Sequence, residues 1–173
     1  YHDREWGVPS HDDQHLFELL ALEAMQAGLS WITILKRRDA FREAFDQFDP
    51  RLVAQYTDSD VNRLLNNASI IRNRRKIEAI IQNASAFLAV QAQHGSFDAF
   101  LWSYAPNGPI VGHWAASGDI PAATPLSEQL SRDLKKLGFS FVGPTIAYAY
   151  LQAAGVVNDH LAACDRATMN DRQ

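Results

Sequence analysis

The sequence predicts an all-α protein, and two observations carry this prediction. Apolar residues recur at helical spacing through most of the chain, as in Leu16, Leu19 and Leu20. No six-residue stretch alternates convincingly between apolar and polar side chains, and no internal repeat or low-complexity tract occurs. We therefore expect one helical domain over residues 1–173.

The composition is that of a chain able to bury a core. Its 173 residues are 47% hydrophobic, which is typical of a single globular domain. The sequence lacks an apolar run of membrane-spanning length and a signal-peptide pattern, so we expect a cytoplasmic protein with no membrane partner. We also expect a monomer. Its single cysteine, Cys164, excludes an intrachain disulfide and is typical of a reducing compartment.

The net charge of −4 argues weakly against a wholly basic nucleic-acid binder. Binding depends on local charge, however, and two basic clusters are present, Lys36–Arg38 and Arg72–Lys76. The second cluster could equally be a solvated helix face.

Helix start and stop signals divide the first half of the chain. Asp12 and Asp13 precede an apolar helix that ends at Gly28, a typical residue after a helix C-terminus. Ser30 is the expected N-cap of a helix over residues 31–45. The segment Thr57–Asp60 resembles a capping box and predicts a further helix.

The second half begins with a long helix, predicted from about Arg74 to just before Gly95. Prolines and glycines between Ala105 and Ala123 predict an irregular loop or small subdomain. Helix resumes after Thr124.

The stretch 134–155 places two helices around a short turn. Gly138 can close the first helix, Gly143 lies at the other end of the turn, and Pro144 and Thr145 can open the second helix. Backbone amides at that second N-terminus are able to bind an anion such as a DNA phosphate. On this stretch alone, an ordinary connection between helices is the better interpretation.

Two groups of residues carry candidate chemistry. Glu23 is a carboxylate inside the otherwise apolar stretch ALEAMQAGLSW at 21–31, where it is either a ligand-binding group or a salt-bridged residue facing solvent. His160 and Cys164 are four residues apart, a spacing that on a helix turns both donor atoms to one side, and His2 is a third candidate for zinc. A packed histidine and a structural cysteine are the alternative.

Five segments, in this order, resemble the DNA-3-methyladenine glycosylase I family. They are YHDREWGVP at 1–9, LEAMQAGLSW at 22–31, SIIRNRRKI at 69–77, GFSFVGPTIAYAYLQAAG at 138–155 and VNDH at 157–160. The resemblance implies a helical domain of the helix-hairpin-helix glycosylase superfamily. It also implies base-excision repair, in which 3-methyladenine is released from alkylated double-stranded DNA and an abasic site remains.

The resemblance assigns roles to residues of this chain. Glu23 is the expected charge partner of the cationic methylated base, and is the one residue assigned to catalysis. The expected base-binding residues are Tyr1, Trp6, Glu23, Gln26 and Trp31. The expected DNA-binding residues are Gly28, Leu29, Gly138, Gly143 and Thr145. A core position for Trp31 and a helix-end hydrophobic contact for Leu29 are the alternatives.

The family's structural zinc is bound by two cysteines and two histidines. The resemblance carries over His2, His160 and Cys164 as ligands, in a lobe formed by residues 1–10 and 156–173, and places the fourth ligand upstream of Tyr1. A site completed by water, or no metal, is the alternative. No catalytic aspartate and no Schiff-base lysine are assigned, which implies a monofunctional hydrolase. A non-catalytic helix-hairpin-helix DNA-binding module and a zinc-stabilised interaction protein are the alternative functions.

Overall fold

The computed structural model describes residues 1–167, which are mostly helical. The α-helices in this part of the chain are α1 (Asp13–Gln26), α2 (Trp31–Leu35), α3 (Arg38–Ala44), α4 (Pro50–Val53), α5 (Asp58–Leu65), α6 (Arg74–His94), α7 (Phe97–Trp102), α8 (Pro125–Lys136) and α9 (Pro144–Ala153). Short 3-10 turns lie at Asp46–Phe48 and Ser117–Asp119. Two short strands, β1 (Ile110–Val111) and β2 (Val157–Asn158), pair in parallel. The all-α prediction is confirmed in its coarse form.

The strongest start and stop signals are confirmed by the structure. The Asp12 carboxylate accepts a hydrogen bond from the amide of His15 at 2.7 Å, so it caps α1. Thr57 and Asp60 form the predicted capping box of α5. The long helix α6 ends immediately before Gly95, whose φ of 86° is a left-handed conformation.

The prediction of one helix over residues 31–45 is wrong. The helix is interrupted at Lys36 and Arg37, between α2 and α3. Arg37 leaves the helical conformation, and its guanidinium donates to the carbonyl oxygens of Ala68 and Ser69. Tertiary hydrogen bonds thus override the local helical pattern.

Helix α1 lies at the centre of the molecule. Every residue from Leu16 to Met25 is buried, including the acidic residues Glu18 and Glu23. The helix contacts α2, α6, α7 and α9, while α8 packs along α9. Because α1 is covered on several sides, a carboxylate within it lies in the interior of the protein.

Helix α6 connects two distant parts of the fold. Near its N-terminus, Lys76 donates to two carbonyl oxygens at the end of α1. Near its middle, the Asn83 amide donates to the carbonyl oxygen of Ser140 and accepts from its N–H, at 2.9 and 2.8 Å. These bonds fix the end of α1 and the α8–α9 turn to one rigid element. No helix within residues 1–167 is long and apolar enough to cross a membrane.

Candidate active site

The predicted base-binding residues come together around one small cavity. Its volume is about 170 Å³, and it is lined by Tyr1, Trp6, Glu23, Gln26, Trp31, Ala149 and Gln152. These side chains come from the N-terminal segment, the C-terminal half of α1, the start of α2, and α9. Cavities of about 150 Å³ can hold a single aromatic ring. A wider depression elsewhere, bordered by Pro9, Trp102 and Pro109, contains none of the predicted base-binding residues.

Glu23 is the charged group of this cavity. Its side chain is 5% exposed, and no residue within 1–167 forms a hydrogen bond or ion pair with it. Burial raises the pKa of the Glu23 carboxyl from 4.5 to about 8, because the ionised form loses its hydration. Because Glu23 is buried and unpaired, the alternative of a salt-bridged residue facing solvent is wrong. An unpaired buried carboxyl lowers stability unless a ligand supplies the missing partner.

Aromatic rings form the walls beside Glu23. The ring centroids of Tyr1 and Trp31 are 5.2 Å apart, with a 51° angle between their planes. The Tyr1 hydroxyl and the Trp31 Nε1 are both buried and have no hydrogen-bond partner in the described chain. Burial raises the pKa of the Tyr1 hydroxyl, and the nearby Glu23 and Glu5 raise it further. The cavity therefore offers ring faces, two hydrogen-bond donors and one carboxyl group.

An ion-pair network that no local sequence pattern predicts holds the N-terminal segment in place. Arg38 forms a bidentate pair with Glu5 at 2.7 and 2.5 Å, and its Nε donates to Glu18 at 2.6 Å. Arg42 also donates to Glu18, at 2.9 Å. Burial acts against ionisation of Glu5, yet the Arg38 contacts prevail and lower the pKa of that carboxyl. The network holds the segment that carries Tyr1 and Trp6 near α1. Because Arg38 is paired with two carboxylates, its charge is not available to the predicted basic cluster at 36–38.

Lys76 is likewise not part of a basic surface. It is 6% exposed, and its Nζ donates to the carbonyl oxygens of Met25 and Ala27 at 2.9 and 2.5 Å. The interpretation of Lys76 as part of a solvated face is therefore wrong. The lysine instead satisfies carbonyl groups that the last turn of a helix leaves unpaired, and its charge complements the helix dipole.

The end of α1 exposes two of the predicted DNA-binding residues, Gly28 and Leu29. Gly28 adopts a left-handed φ of 77°, and no atom lies within 4 Å of the position that a Cβ would occupy. Leu29 is 39% exposed, and Ile32, which the sequence analysis does not single out, is 56% exposed. This exposure argues against a buried helix-end contact for Leu29 and leaves an apolar protrusion beside the cavity.

The α8–α9 turn begins at Gly138, as the sequence predicts. Gly138 has a φ of 93°, whereas Gly143 has an ordinary φ of −60° and the second left-handed residue is Phe141. Buried Phe139 and Val142 hold the turn against the core, and Thr145 is exposed in the first turn of α9. No atom lies within 4 Å of a Cβ built on Gly143, so its backbone faces open space.

Asp159 is buried and is held in place by side-chain hydrogen bonds. It is 2% exposed, and three side chains donate to its carboxylate, namely Trp114, Tyr148 and Gln152. Gln152 thus connects this carboxylate to the cavity wall. Sequence reasoning does not identify Gln152 as a cavity residue, because its position depends on how α9 packs against α1 and no local motif marks it.

The three predicted metal ligands also come together. The ligand atoms of His2, His160 and Cys164 all lie within 4.8 Å of one another. His160 Nε2 is buried without a hydrogen-bond partner in the described chain, while its Nδ1 contacts Asn158 Oδ1 at 2.7 Å. This arrangement fits a metal ligand whose other ring nitrogen is oriented by a neighbour. His160 and Cys164 do not lie on a helix, since β2 is followed by coil and turns, so the helical spacing is not what brings these two residues together.

Comparison with known proteins gives a consistent result. The family model described as methyladenine glycosylase matches residues 1–167. DNA-3-methyladenine glycosylase 1 of Escherichia coli (strain K12) is 50% identical over 164 residues, which are 95% of this chain and 88% of that protein. DNA-3-methyladenine glycosylase of Haemophilus influenzae (strain ATCC 51907 / DSM 11121 / KW20 / Rd) is 48% identical over 95% of this chain and 89% of its own length.

Solved structures show the same similarity in three dimensions. A crystal structure of 3-methyladenine DNA glycosylase I has a TM-score of 0.92 and 51% identity, covering 95% of this chain and 91% of its own. The Staphylococcus aureus enzyme, solved to explain 3-methyladenine recognition, has a TM-score of 0.92 and 44% identity, covering 95% of this chain and 88% of its own. The chain therefore belongs to the methyladenine glycosylase family, whose curated relatives are DNA-3-methyladenine glycosylases, hydrolases that act on N-glycosyl bonds.

Proposed function

We propose that this protein excises 3-methyladenine from alkylated double-stranded DNA and that the cavity around Glu23 receives the methylated base. The observation that carries the proposal is a buried carboxyl without a protein partner, enclosed by the aromatic side chains of Tyr1, Trp6 and Trp31. A flat cationic base supplies what this site lacks, because it stacks on the rings and offers a positive charge to Glu23.

Two solved relatives support this assignment of residues. One is a variant with phenylalanine in place of a tyrosine, in complex with 3-methyladenine, and the other has glutamine in place of a glutamate. The two substituted positions are separated by as many residues as Tyr1 and Glu23 in this chain. We infer that Tyr1 and Glu23 contact the base here.

The base reaches the cavity only after it leaves the DNA stack. A nucleotide in a duplex is inaccessible to an enclosed pocket, so it must rotate outward at a cost of a few kcal/mol. Leu29 is exposed at the end of α1 and is placed to fill the gap, and Gly28 allows the backbone to approach the duplex. Ring stacking against Trp31 offsets part of the cost.

The charge of the methylated base determines the chemistry. Methylation at N3 makes the base cationic, so the glycosidic bond can break with its electron pair moving to the base, which leaves as a neutral molecule. Water then adds to the sugar carbon and releases a proton, which gives an abasic site. The protein needs no acid to protonate the leaving base, and its main contribution is to bind and orient the nucleotide.

The other acidic and basic groups near the cavity are engaged elsewhere. Both carboxylate oxygens of Asp159 accept hydrogen bonds, so this residue does not serve as the base that activates water. Lys76 donates to backbone carbonyl oxygens, which removes it as a Schiff-base nucleophile. We therefore infer a monofunctional glycosylase.

The DNA backbone is held by the α8–α9 turn in this proposal, as in a helix-hairpin-helix element. The open backbone at Gly138 and Gly143 lets a phosphate approach, and the exposed Thr145 hydroxyl lies in the first turn of α9. Free amides of that turn donate to the phosphate.

We also propose that His2, His160 and Cys164 bind a structural zinc ion. Zinc prefers imidazole nitrogen and thiolate sulfur, and the buried unpartnered Nε2 of His160 is the observation that supports it. The ion would tie the N-terminal segment, which carries Tyr1 and Trp6, to the segment after β2. The fourth ligand stays a prediction.

Release of free base tests the proposed activity. The protein is incubated with methylated duplex DNA, and the released bases are separated by chromatography. We expect free 3-methyladenine from the intact protein and none from heat-unfolded protein. A folded protein that binds DNA but releases no base would support the non-catalytic DNA-binding alternative instead.

A further inference from the structure

We propose that Lys36, Arg72 and Arg75 form a second DNA-backbone site, which holds duplex phosphates beside the end of α1. This inference rests on the proposed function, since it requires that the protein binds duplex DNA. The three side chains are exposed, and none of them forms a hydrogen bond or ion pair with any residue of the described chain. We call them the basic surface.

Hydrogen bonds join the segments that carry this surface to each other and to the end of α1. Arg37 donates to the carbonyl oxygen of Ser69 at 3.1 Å, which joins the segment containing Arg72 to the α2–α3 junction where Lys36 lies. On the other side, Lys76 donates to the carbonyl oxygen of Ala27 at 2.5 Å, so the first turn of α6, which carries Arg75, meets the end of α1. The basic surface therefore borders the segment that presents Leu29.

A depression beside Lys36 has the composition of a phosphate site. It has a volume of about 430 Å³ and is lined by Thr33, Lys36, Arg37, Ala40 and Ser69. The Ser69 hydroxyl and the unpaired ammonium of Lys36 are suitable donors for phosphate oxygens, while the Thr33 hydroxyl shares a hydrogen bond with the Ser30 hydroxyl at 2.7 Å. The depression contains no carboxylate that would neutralise this charge.

Arg74 is not part of the basic surface, because its guanidinium already has partners in the protein. Arg74 lies between Arg72 and Arg75 in sequence, but its guanidinium donates to Glu78 at 3.2 Å and to Asn62 at 3.3 Å. The predicted cluster at 72–76 therefore reduces to Arg72 and Arg75, because Lys76 is buried and Arg74 is paired.

Helix α6 sets the distance between this surface and the α8–α9 turn. Arg75 lies in its first turn, and Gln82, seven residues later, donates to the carbonyl oxygen of Gly138 at 2.7 Å. Seven residues correspond to about 10 Å along a helix axis. This length is on the order of the groove widths of B-DNA, about 6 and 12 Å, so one helix can space two contacts across a duplex groove.

The salt dependence of DNA binding tests the basic surface. Affinity for a methylated duplex is measured over a range of salt concentrations for wild type and for the triple variant Lys36→Gln, Arg72→Gln, Arg75→Gln. The plot of log affinity against log salt concentration has a negative slope, and each lost phosphate contact makes that slope less negative by about 0.9. We therefore expect the slope of the triple variant to be less negative than that of wild type by almost 3. Each single variant should lose about one unit.

The control is Arg51→Gln, which removes the same charge from α4, where Arg51 is exposed and paired with Asp49. We expect its salt slope to match that of wild type. An unchanged slope in the triple variant, with a wild type that binds DNA and releases base, would contradict the basic surface alone. Failure of wild type to release base would contradict the proposed function, while the binding slopes would still report on the surface.

Discussion

Glu18 and Glu23 lie on the same helix and are both nearly buried, but their electrostatic surroundings are opposite. Glu18 accepts hydrogen bonds from Arg38 and Arg42, whereas Glu23 has no charged partner within residues 1–167. The first carboxylate stabilises the fold, and the second has a cost in stability that binding of a cationic base at the proposed site would offset. Such a cost is common at functional sites.

This difference predicts opposite effects of the same substitution. Burial raises the pKa of Glu23 from 4.5 to about 8, so between these values the folded protein holds a proton that the unfolded chain has released. The contribution of this group to stability therefore falls as pH rises from about 4.5 to about 8. We expect Glu23→Gln to be more stable than wild type at pH 8, by about 1–3 kcal/mol, in urea unfolding.

The matched control is Glu18→Gln. It leaves Arg38, whose side chain is only 11% exposed, with one ionic partner fewer, so we expect the variant to lose about 3 kcal/mol at both pH 5 and pH 8. A Glu23→Gln variant that is less stable than wild type at pH 8 would mean that Glu23 has a stabilising partner in the folded protein.

The sequence predicts the residues that line the cavity better than it predicts the ion pairs and hydrogen bonds that hold those residues in place. Tyr1, Glu23 and Trp31 could be assigned because they lie in motifs that resemble a known family. Gln152 and the Arg38–Glu5 pair could not, because their partners are remote in sequence and no local pattern encodes the contact. Side-chain networks of this kind depend on the tertiary fold.

At the scale of elements, the end of α1 depends on a single lysine from α6. Lys76→Met removes both donors to the Met25 and Ala27 carbonyl oxygens while keeping the apolar stem. We expect a loss of about 1–3 kcal/mol in stability, since two carbonyl groups lose their partner. Because α1 carries Glu23 and Gln26, we also expect a lower kcat/KM at temperatures where the variant is fully folded.

Arg75→Gln is the control for stability in this comparison. Its side chain is exposed and unpaired in the described chain, so the free energy of unfolding should change by less than about 0.5 kcal/mol. If Lys76→Met matches Arg75→Gln in stability and wild type in kcat/KM, the lysine does not position the end of α1.

The elements that could be predicted are those with strong local signals. Caps, glycines after helix ends and long apolar stripes mark α1, α5, α6, α8 and α9. The short helices α4 and α7, with four and six residues, were not predicted, because so few residues display no clear period. The interruption between α2 and α3 could not be predicted either, since it depends on the contact of Arg37 with residues 68 and 69.

At the scale of the whole molecule, the N-terminal segment is joined to the end of the fold in several ways. The amide of Gly7 donates to the Gln152 carbonyl oxygen, and the amide of Ser10 donates to that of Ala154, both at 3.0 Å. The Glu5–Arg38 pair and the cluster of His2, His160 and Cys164 add further connections. A metal ion at the proposed site would therefore be one connection among several in this part of the structure.

Zinc removal tests the proposed metal site without reference to activity. We expect about one zinc per chain by elemental analysis and a lower Tm after treatment with a strong chelator, with retained helical circular dichroism. Retention follows because the hydrogen bonds of Gly7 and Ser10 do not involve the metal. His160→Ala should lower both the metal content and the Tm, while His113→Ala, a histidine outside the cluster, should change neither. Protein without bound zinc, and with the same Tm before and after chelation, would contradict the site.

In the proposed mechanism, ionised Glu23 recognises the positive charge of the methylated base. The most direct test of this recognition is the pH dependence of kcat/KM for release of 3-methyladenine, which reports ionisations of the free enzyme. With a Glu23 pKa of about 8, we expect kcat/KM of wild type to rise about tenfold per pH unit between pH 6 and 7.5 and to level off above pH 8. Glu23→Gln should be far less active over the whole range and should lack this rise. Full activity of Glu23→Gln, or the same rise in that variant, would mean that ionised Glu23 does not recognise the charge of the base.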